Sequence, residues 1–210
     1  MFLLAAVVVG LSAALIRALW TRRGLRPYDL KLIWLVFLAF VPQWLAFILP
    51  VTKDRLPDAW VPWILVPSQI GLLVFALANL KKPGFWLLAL GLALNLTVIA
   101  ANGGMMPISP ENVRKVYPDA PAGAWQIGER LGTGKDIVLP VEHTALWFLT
   151  DLFHLTYGAG KNVVFSLGDG LVWCGIVWAL WSLGGPAIKE RASAGQRVPA
   201  AAADLRSPGD

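Results

Sequence analysis

The stretch "GFWLLALGLALNLTVIAANGGMMPISPEN", Gly84 to Asn112, decides how the rest of the chain is read. Its first part, Gly84 to Ala101, carries no charge and has about the length a helix needs to cross ~30 Å of hydrocarbon at ~1.5 Å per residue. The run then stops against Asn102, Gly103, Gly104 and Pro107. Asn102 or Gly103 suits the left-handed conformation that ends a helix, and Pro107 keeps the helix from resuming nearby. Ser109, Pro110 and Asn112 read as N-cap, N1 and N3 of a short helix ending near Val116 or Tyr117, before Pro118. The two glycines with Met105 and Met106 would also let backbone and soft side chains adapt to a partner.

Four more blocks share the character of Gly84–Ala101. Met1 to Trp20 has Arg17 as its one charge, and Leu32 to Val51, Ala59 to Leu80 and Gly170 to Ile188 have none. With 57% hydrophobic and 15% charged residues, the chain falls well below the charged share of about a quarter usual in soluble domains. The pattern predicts an all-α, polytopic membrane helix bundle. Its five transmembrane helices span about 2–20, 32–51, 60–80, 84–101 and 167–185, with an outward loop over 102–165. The first block has no basic residues before its apolar run, the reverse of a secretory signal, and reads as a retained helix. Trp20, Trp34, Trp60, Trp63, Trp86 and Trp181 fall near span ends, where indole rings favour the interface. Cys174 lies inside the last span and reads as a small packing residue, so no disulfide framework exists.

The net charge of +5 is explained by its distribution. Arg17, Arg22, Arg23, Arg26 and Lys31, then Lys81 and Lys82, then Lys189, Arg191, Arg197 and Arg206 fall on one side of the expected bundle. Lys/Arg-rich connections stay cytoplasmic, which puts the amino terminus outside and the carboxyl terminus in the cytoplasm of a cell (inner) membrane. A basic face against an anionic leaflet accounts for the charge without nucleic acid. Residues 186–210, rich in Ala, Pro and charge, read as a disordered cytoplasmic tail.

A sixth apolar stretch, "VEHTALWFLTDLFHLTYG" over Val141–Gly158, carries Asp151 at its middle. A central aspartate costs about 2.5–3.5 kcal/mol on insertion scales. The segment is therefore expected as an interfacial or re-entrant helix within the outward loop. As a helix it would place His143, Thr150, His154 and Asp151 on one face. His143 and His154 would still be ~16 Å apart, too far to share a metal, so no metal site is expected.

Inside the spans, Gln43, Gln69 and Asn95 fall at a common depth of ~10–14 Å below the outer surface. Pro42 and Pro67 lie beside two of them, each removing an N–H and freeing a carbonyl. The amides read either as hydrogen-bonding glue between helices, at roughly 0.6 kcal/mol per bond, or as the lining of a polar cavity.

"SLGD", Ser166 to Asp169, has two readings. Ser-x-x-Asp before an apolar run is a capping box, with Ser166 as N-cap and Asp169 at N3. Intramembrane aspartyl proteases place a catalytic carboxylate in Gly-x-Gly-Asp, with a second aspartate on a neighbouring helix. Ser166 replaces the first glycine, and Asp151 is the sole imagined partner.

The strings "NLTVIAANGGMMPISPE" (Asn95–Glu111), "TALWFLTD" (Thr144–Asp151) and "VVFSLGDGLVW" (Val163–Trp173) resemble, in this order and with similar separations, an uncharacterised bacterial membrane-protein family known as domain of unknown function 5317. The resemblance runs to about Trp181 and includes the arginine-rich first connection. Its most specific positions are Asn102, Gly103, Gly104, Pro107, Asp151, Ser166, Gly168 and Asp169. It implies that these residues form one outward-facing site, and it implies no activity, substrate or cofactor. His154 departs from the family pattern, which counts against a histidine-based mechanism.

Three functions follow as expectations. The first is a non-enzymatic membrane module, an accessory subunit or sensor, whose loop site meets a membrane-protein partner or a second copy of the chain. The second is a small oligomeric transporter or channel using the intramembrane amides. The third and most remote is an intramembrane enzyme acting through Asp151 and Asp169. No cofactor is expected for any of them.

Overall fold

The computed structural model describes residues 2–183 apart from 23, 26, 122, 159 and 160. The tail expected over 186–210 therefore lies outside the described residues. Among the described residues there are five apolar helices, α1 (Phe2–Thr21), α2 (Trp34–Phe47), α4 (Val61–Ala78), α5 (Phe85–Ala101) and α7 (Leu167–Trp181), with a single-turn helix α3 (Pro50–Lys53) after α2. They pack as a row, α2 on α4, α4 on α5, α5 on α7 and α7 on α1. Ala76, Ala89, Leu92 and Val172 form the buried seam where α4, α5 and α7 meet.

The expectation of five transmembrane helices is overturned by helix length. Among the described residues, one helical stretch, Asp58–Ala78 at 21 residues, is long and apolar enough to cross a membrane. The other four apolar stretches, Ala5–Thr21 within α1, Trp34–Phe47, Phe85–Ala101 and Leu167–Trp181, are shorter and reach roughly 21–26 Å at 1.5 Å per residue. The block expected as one span over 32–51 is divided: α2 ends at Phe47, and Pro50 starts α3. Counting uncharged residues overestimates a helix when turns and caps are themselves apolar.

The all-α expectation is overturned as well. Among its described residues the segment between α5 and α7 folds as a cap of four short strands, one helix and two 3-10 turns. Strand β1 (Met106–Ile108) pairs in parallel with β2 (Asp136–Val138), and β3 (Phe153–Tyr157) pairs antiparallel with β4 (Lys161–Phe165). Helix α6 (Pro110–Val116) starts at Ser109, whose side chain accepts the Asn112 N–H at 3.3 Å. This is the cap the sequence predicted, and the helix ends at Tyr117, before Pro118. Ile108, Val113 and Val138 make the cap's own buried core, with Trp125, Leu131 and Val164 against it.

No interfacial or re-entrant helix occupies Val141–Gly158. The 3-10 turns Val141–His143 and Trp147–Leu149 are followed by β3. Leu146 between the turns takes φ +55°, a left-handed conformation that interrupts any helix. The shared face imagined for His143, Thr150, Asp151 and His154 therefore does not exist.

Cap and helices are fastened at their junction. Leu65, Val98, Ile99, Met106 and Leu149 form one buried cluster drawn from α4, α5, β1 and the second 3-10 turn. Gly104, at φ +86°, brings its backbone against Pro62 of α4 so closely that a Cβ would collide with that ring. Only glycine combines that conformation with that approach.

Candidate functional site

The N-terminus of α7 begins the site. Ser166, fully buried, is the N-cap: its Oγ accepts the Asp169 N–H at 2.9 Å, and Asp169 Oδ2 accepts the Ser166 N–H at 3.3 Å. This reciprocal pair satisfies two of the helix's free amides. Asn95 of α5 completes the arrangement from across the helix pair. Its Nδ2 donates to Asp169 Oδ1 at 2.8 Å, and its Oδ1 accepts from Ser166 Oγ at 2.8 Å. Gly168 makes room for this. A Cβ there would strike the Asn95 carboxamide and approach Gly91 O to 2.7 Å.

The end of α5 supplies the second part. Asn102 Nδ2 donates to Val98 O at 2.8 Å and to Ala145 O at 2.9 Å, while its Oδ1 accepts from Ala145 N at 3.0 Å. Asn102 thus clasps both backbone groups of one residue in the cap. Gly103 at φ +73° and Gly104 provide the left-handed turn, rather than Asn102, whose φ is −119°. Pro107, fully buried, lies in β1 opposite Ile137. The helix has already ended at Ala101, and Pro107 lies in a strand, not in a resumed helix. The same clasp recurs at the other end of the row. There Asn79, at the C-cap of α4, bonds Phe75 O and both backbone groups of Lys31.

Asp151 is the third part and differs from the rest. It is 4% exposed, and its backbone carbonyl accepts from Asn112 Nδ2 at 2.7 Å. Asn112 Oδ1 in turn accepts from Lys115 Nζ at 2.9 Å. The side chain is poorly served. Oδ2 stands 3.8 Å from Lys135 Nζ, and Oδ1 is buried with no hydrogen-bond partner. Lys135 gives its closer contact, 2.7 Å, to Asp136 Oδ1.

The electrostatics follow from this crowding. Partial burial disfavours the Lys135 ammonium, whose side chain is 38% exposed, but Asp136, Asp151 and Asp169 more than offset that and hold it above the ordinary lysine value. Burial pushes the Asp151 carboxyl up to about 7, with Asp136 and Asp169 adding to the rise and Lys135 opposing it. Asp169 is therefore close enough to act on both neighbours.

The eight loop and cap residues expected to share a site are thus distributed along one junction. Ser166, Gly168 and Asp169 form one contact with Asn95, Asp151 lies within electrostatic range of it, and Asn102 to Pro107 form the wall that joins α5 to the cap. Among the described residues no hydrogen bond joins Gln43 or Gln69 to Asn95, and Gln69 Oε1 is buried without a partner. His154 pairs with Asn162 at 3.2 Å in the β3–β4 hairpin, away from His143. Among the described residues no three His, Cys, Asp or Glu side chains are grouped to hold a metal ion.

Sequence reasoning missed Lys135, Asp136 and Arg130. Arg130, with a side chain 3% exposed, bonds Gly134 O, Thr133 O, Leu56 O and Asp58 Oδ1, tying the cap to the start of α4. One signal was present in "GTGKDIVLP", Gly132 to Pro140, where turn glycines precede a β-branched run that marks a short strand.

Over residues 27–181 the chain matches the model of a family described as "Family of unknown function (DUF5317)". An uncharacterized protein of Thermotoga maritima is 31% identical over 125 residues, which cover 55% of this chain and 63% of that relative. The match thus spans less than two thirds of the relative's length. No solved structure matches the chain.

Proposed function

The chain belongs to the family of unknown function DUF5317, and from that premise we propose that it is a membrane-bound, non-enzymatic module whose folded cap meets a partner at the outer face. The observation that carries this reading is the uncovered apolar surface of the helices. Leu19, Trp20, Phe37, Leu38 and Trp63 are all more than 60% exposed, and many neighbours on α1, α2 and α4 are nearly as bare. Soluble monomers rarely leave contiguous apolar areas of that extent in water. Only 28% of the apolar window in Asp58–Ala78 is buried within the chain, unlike a core helix. Lipid is the cover of matching chemistry.

The direction of Asp58–Ala78 supports an orientation. It starts beside Arg130 and the cap, and ends at Asn79, next to Lys31, Lys81 and Lys82. Basic connections stay cytoplasmic, so the cap stands outside. A transport role through Gln43, Gln69 and Asn95 fits less well, because both polar atoms of Asn95 are engaged by Ser166 and Asp169. An acid-base role for Asp169 meets the same objection, since both its oxygens are held.

Cys174, the single and exposed cysteine on α7, offers the test. In sealed native membranes it should resist a membrane-impermeant maleimide and react with a lipid-soluble one; rapid labelling by the impermeant reagent would sink the membrane reading. Purification in several mild detergents should retain a stoichiometric partner, and recovery of this chain alone would refute the module.

A further inference from the structure

Asp151 is the buried member of a charged group whose other members, Lys135, Asp136 and Asp169, are partly exposed. Three carboxylates, Asp136, Asp151 and Asp169, act on one ammonium, Lys135. Asp169 has N–H donors on both oxygens, and Asp136 has Lys135 at 2.7 Å. Asp151 is left over. Its nearer oxygen is 3.8 Å from Lys135 Nζ, beyond hydrogen-bond length, and its other oxygen is buried with no donor at all. A buried carboxylate so placed is unfavourable unless it gains a positive partner or loses its charge.

We propose that Asp151 is a proton-binding site that fastens the cap: with the proton on, the neutral carboxyl fits its closed position; with the proton off, the cap loosens around it. The position suits that role because Asp151 is held from several sides. Asn112 of α6 holds its carbonyl, Lys135 approaches ahead of β2, and its chain continues into β3. The charged groups facing it are Lys135 and Asp136 at β2, Lys115 through Asn112 on α6, and Asp169 on α7. Burial, Asp136 and Asp169 favour the proton and Lys135 opposes it, which leaves the carboxyl poised near neutrality. The site is centred on the cap and reaches α7 at Asp169, and it goes beyond the membrane reading and stands without it.

Amide hydrogen exchange on the full chain in detergent, from about pH 5.5 to 8.5 and corrected for intrinsic exchange, tests the proposal. Protection across 106–116 and 136–157 should fall on the order of tenfold as pH rises through one midpoint. Asp136→Asn should lower that midpoint, Lys135→Gln should raise it, and Asp151→Asn should remove the transition while keeping the protection seen in acid. If Asp151→Asn does not fold, the opposite shifts of the other two variants still decide. Flat protection in the unaltered chain, or one midpoint common to Asp136→Asn and Lys135→Gln, would overturn the proposal. So would recovery of protection at high pH on adding sodium or ammonium ions, which would make the ligand a cation other than the proton.

Discussion

At the junction of helices and cap, Asp169 receives the Asn95 amide on one oxygen and the Ser166 N–H on the other, whereas Asp151 has one oxygen 3.8 Å from Lys135 and one with no partner. The two residues are of one type, in one neighbourhood, and feel one another's charge. Their surroundings separate them. Asp169 sits at the positive end of α7, where amides need an acceptor. Asp151 sits between strands and turns, where the backbone is already paired and only a lysine shared with Asp136 is at hand. A fully paired carboxylate holds structure; a closed but unpaired one is open to a change of state. The comparison predicts that damage around Asp169 costs stability, while neutralising Asp151 does not.

The largest effect is expected from Gly168→Ala. The new methyl group meets the Asn95 carboxamide and the Gly91 carbonyl, and backbone cannot move aside as a flexible side chain can. A loss of about 3 kcal/mol or more is expected, because α5 must be pried from α7, and denaturation in detergent would measure it. A variant as stable as the parent would show that the Asn95 contact does not hold the helices together. Asn95→Leu comes next. It strips a donor from Asp169 Oδ1 and an acceptor from Ser166 Oγ, at about 2–3 kcal/mol. Combined with Asp169→Asn, its cost should be clearly less than the sum, since both changes break one contact. Full additivity would dissolve the cluster.

Asn102→Ala should cost less, about 1–2 kcal/mol, although it removes three hydrogen bonds. The contacts to Ala145 are exposed, so water replaces part of what is lost. Limited proteolysis near residue 145 should accelerate while the helical row melts almost as before. Unchanged cleavage would mean that the turn around Ala145 is held by its own packing.

How much of this was legible in the sequence depended on range. The two caps, Ser109 with Asn112 and Ser166 with Asp169, span three residues each, and local patterns identify them. Asn102 was marked as a helix end for the same reason. Depth along a helix can be counted and groups Asn95 with Gln43 and Gln69, whereas its partner Asp169 lies 74 residues away. Helix length failed for a related reason: apolar turns such as Ile48 and Leu49 look the same as helix when only charge is counted. A period of 3.6 is the wrong reading of the segment from Val141. "FHLTY" and "KNVVF", separated by Gly-Ala-Gly, are β-branched and aromatic runs around a turn. The Lys135–Asp151 contact joins two loops, and no spacing rule reaches that far.

Asp151→Asn is the smallest of the expected effects in acid and the most informative, because its sign above neutrality changes the meaning of the site. Asp151 titrates near 3.8 when exposed and about 7 when folded, so between those values the folded chain keeps a proton that the unfolded chain has lost. Stability therefore falls as pH rises from about 4 to about 7 and levels off above that. Asparagine removes the slope. At about pH 4 the variant should match the parent closely, and at about pH 8 it should be clearly the more stable. Melting temperatures at the two values would suffice. A variant destabilised at both would place Asp151 beside Asp169, as a carboxylate the fold requires charged, and the contrast between the two residues would be gone.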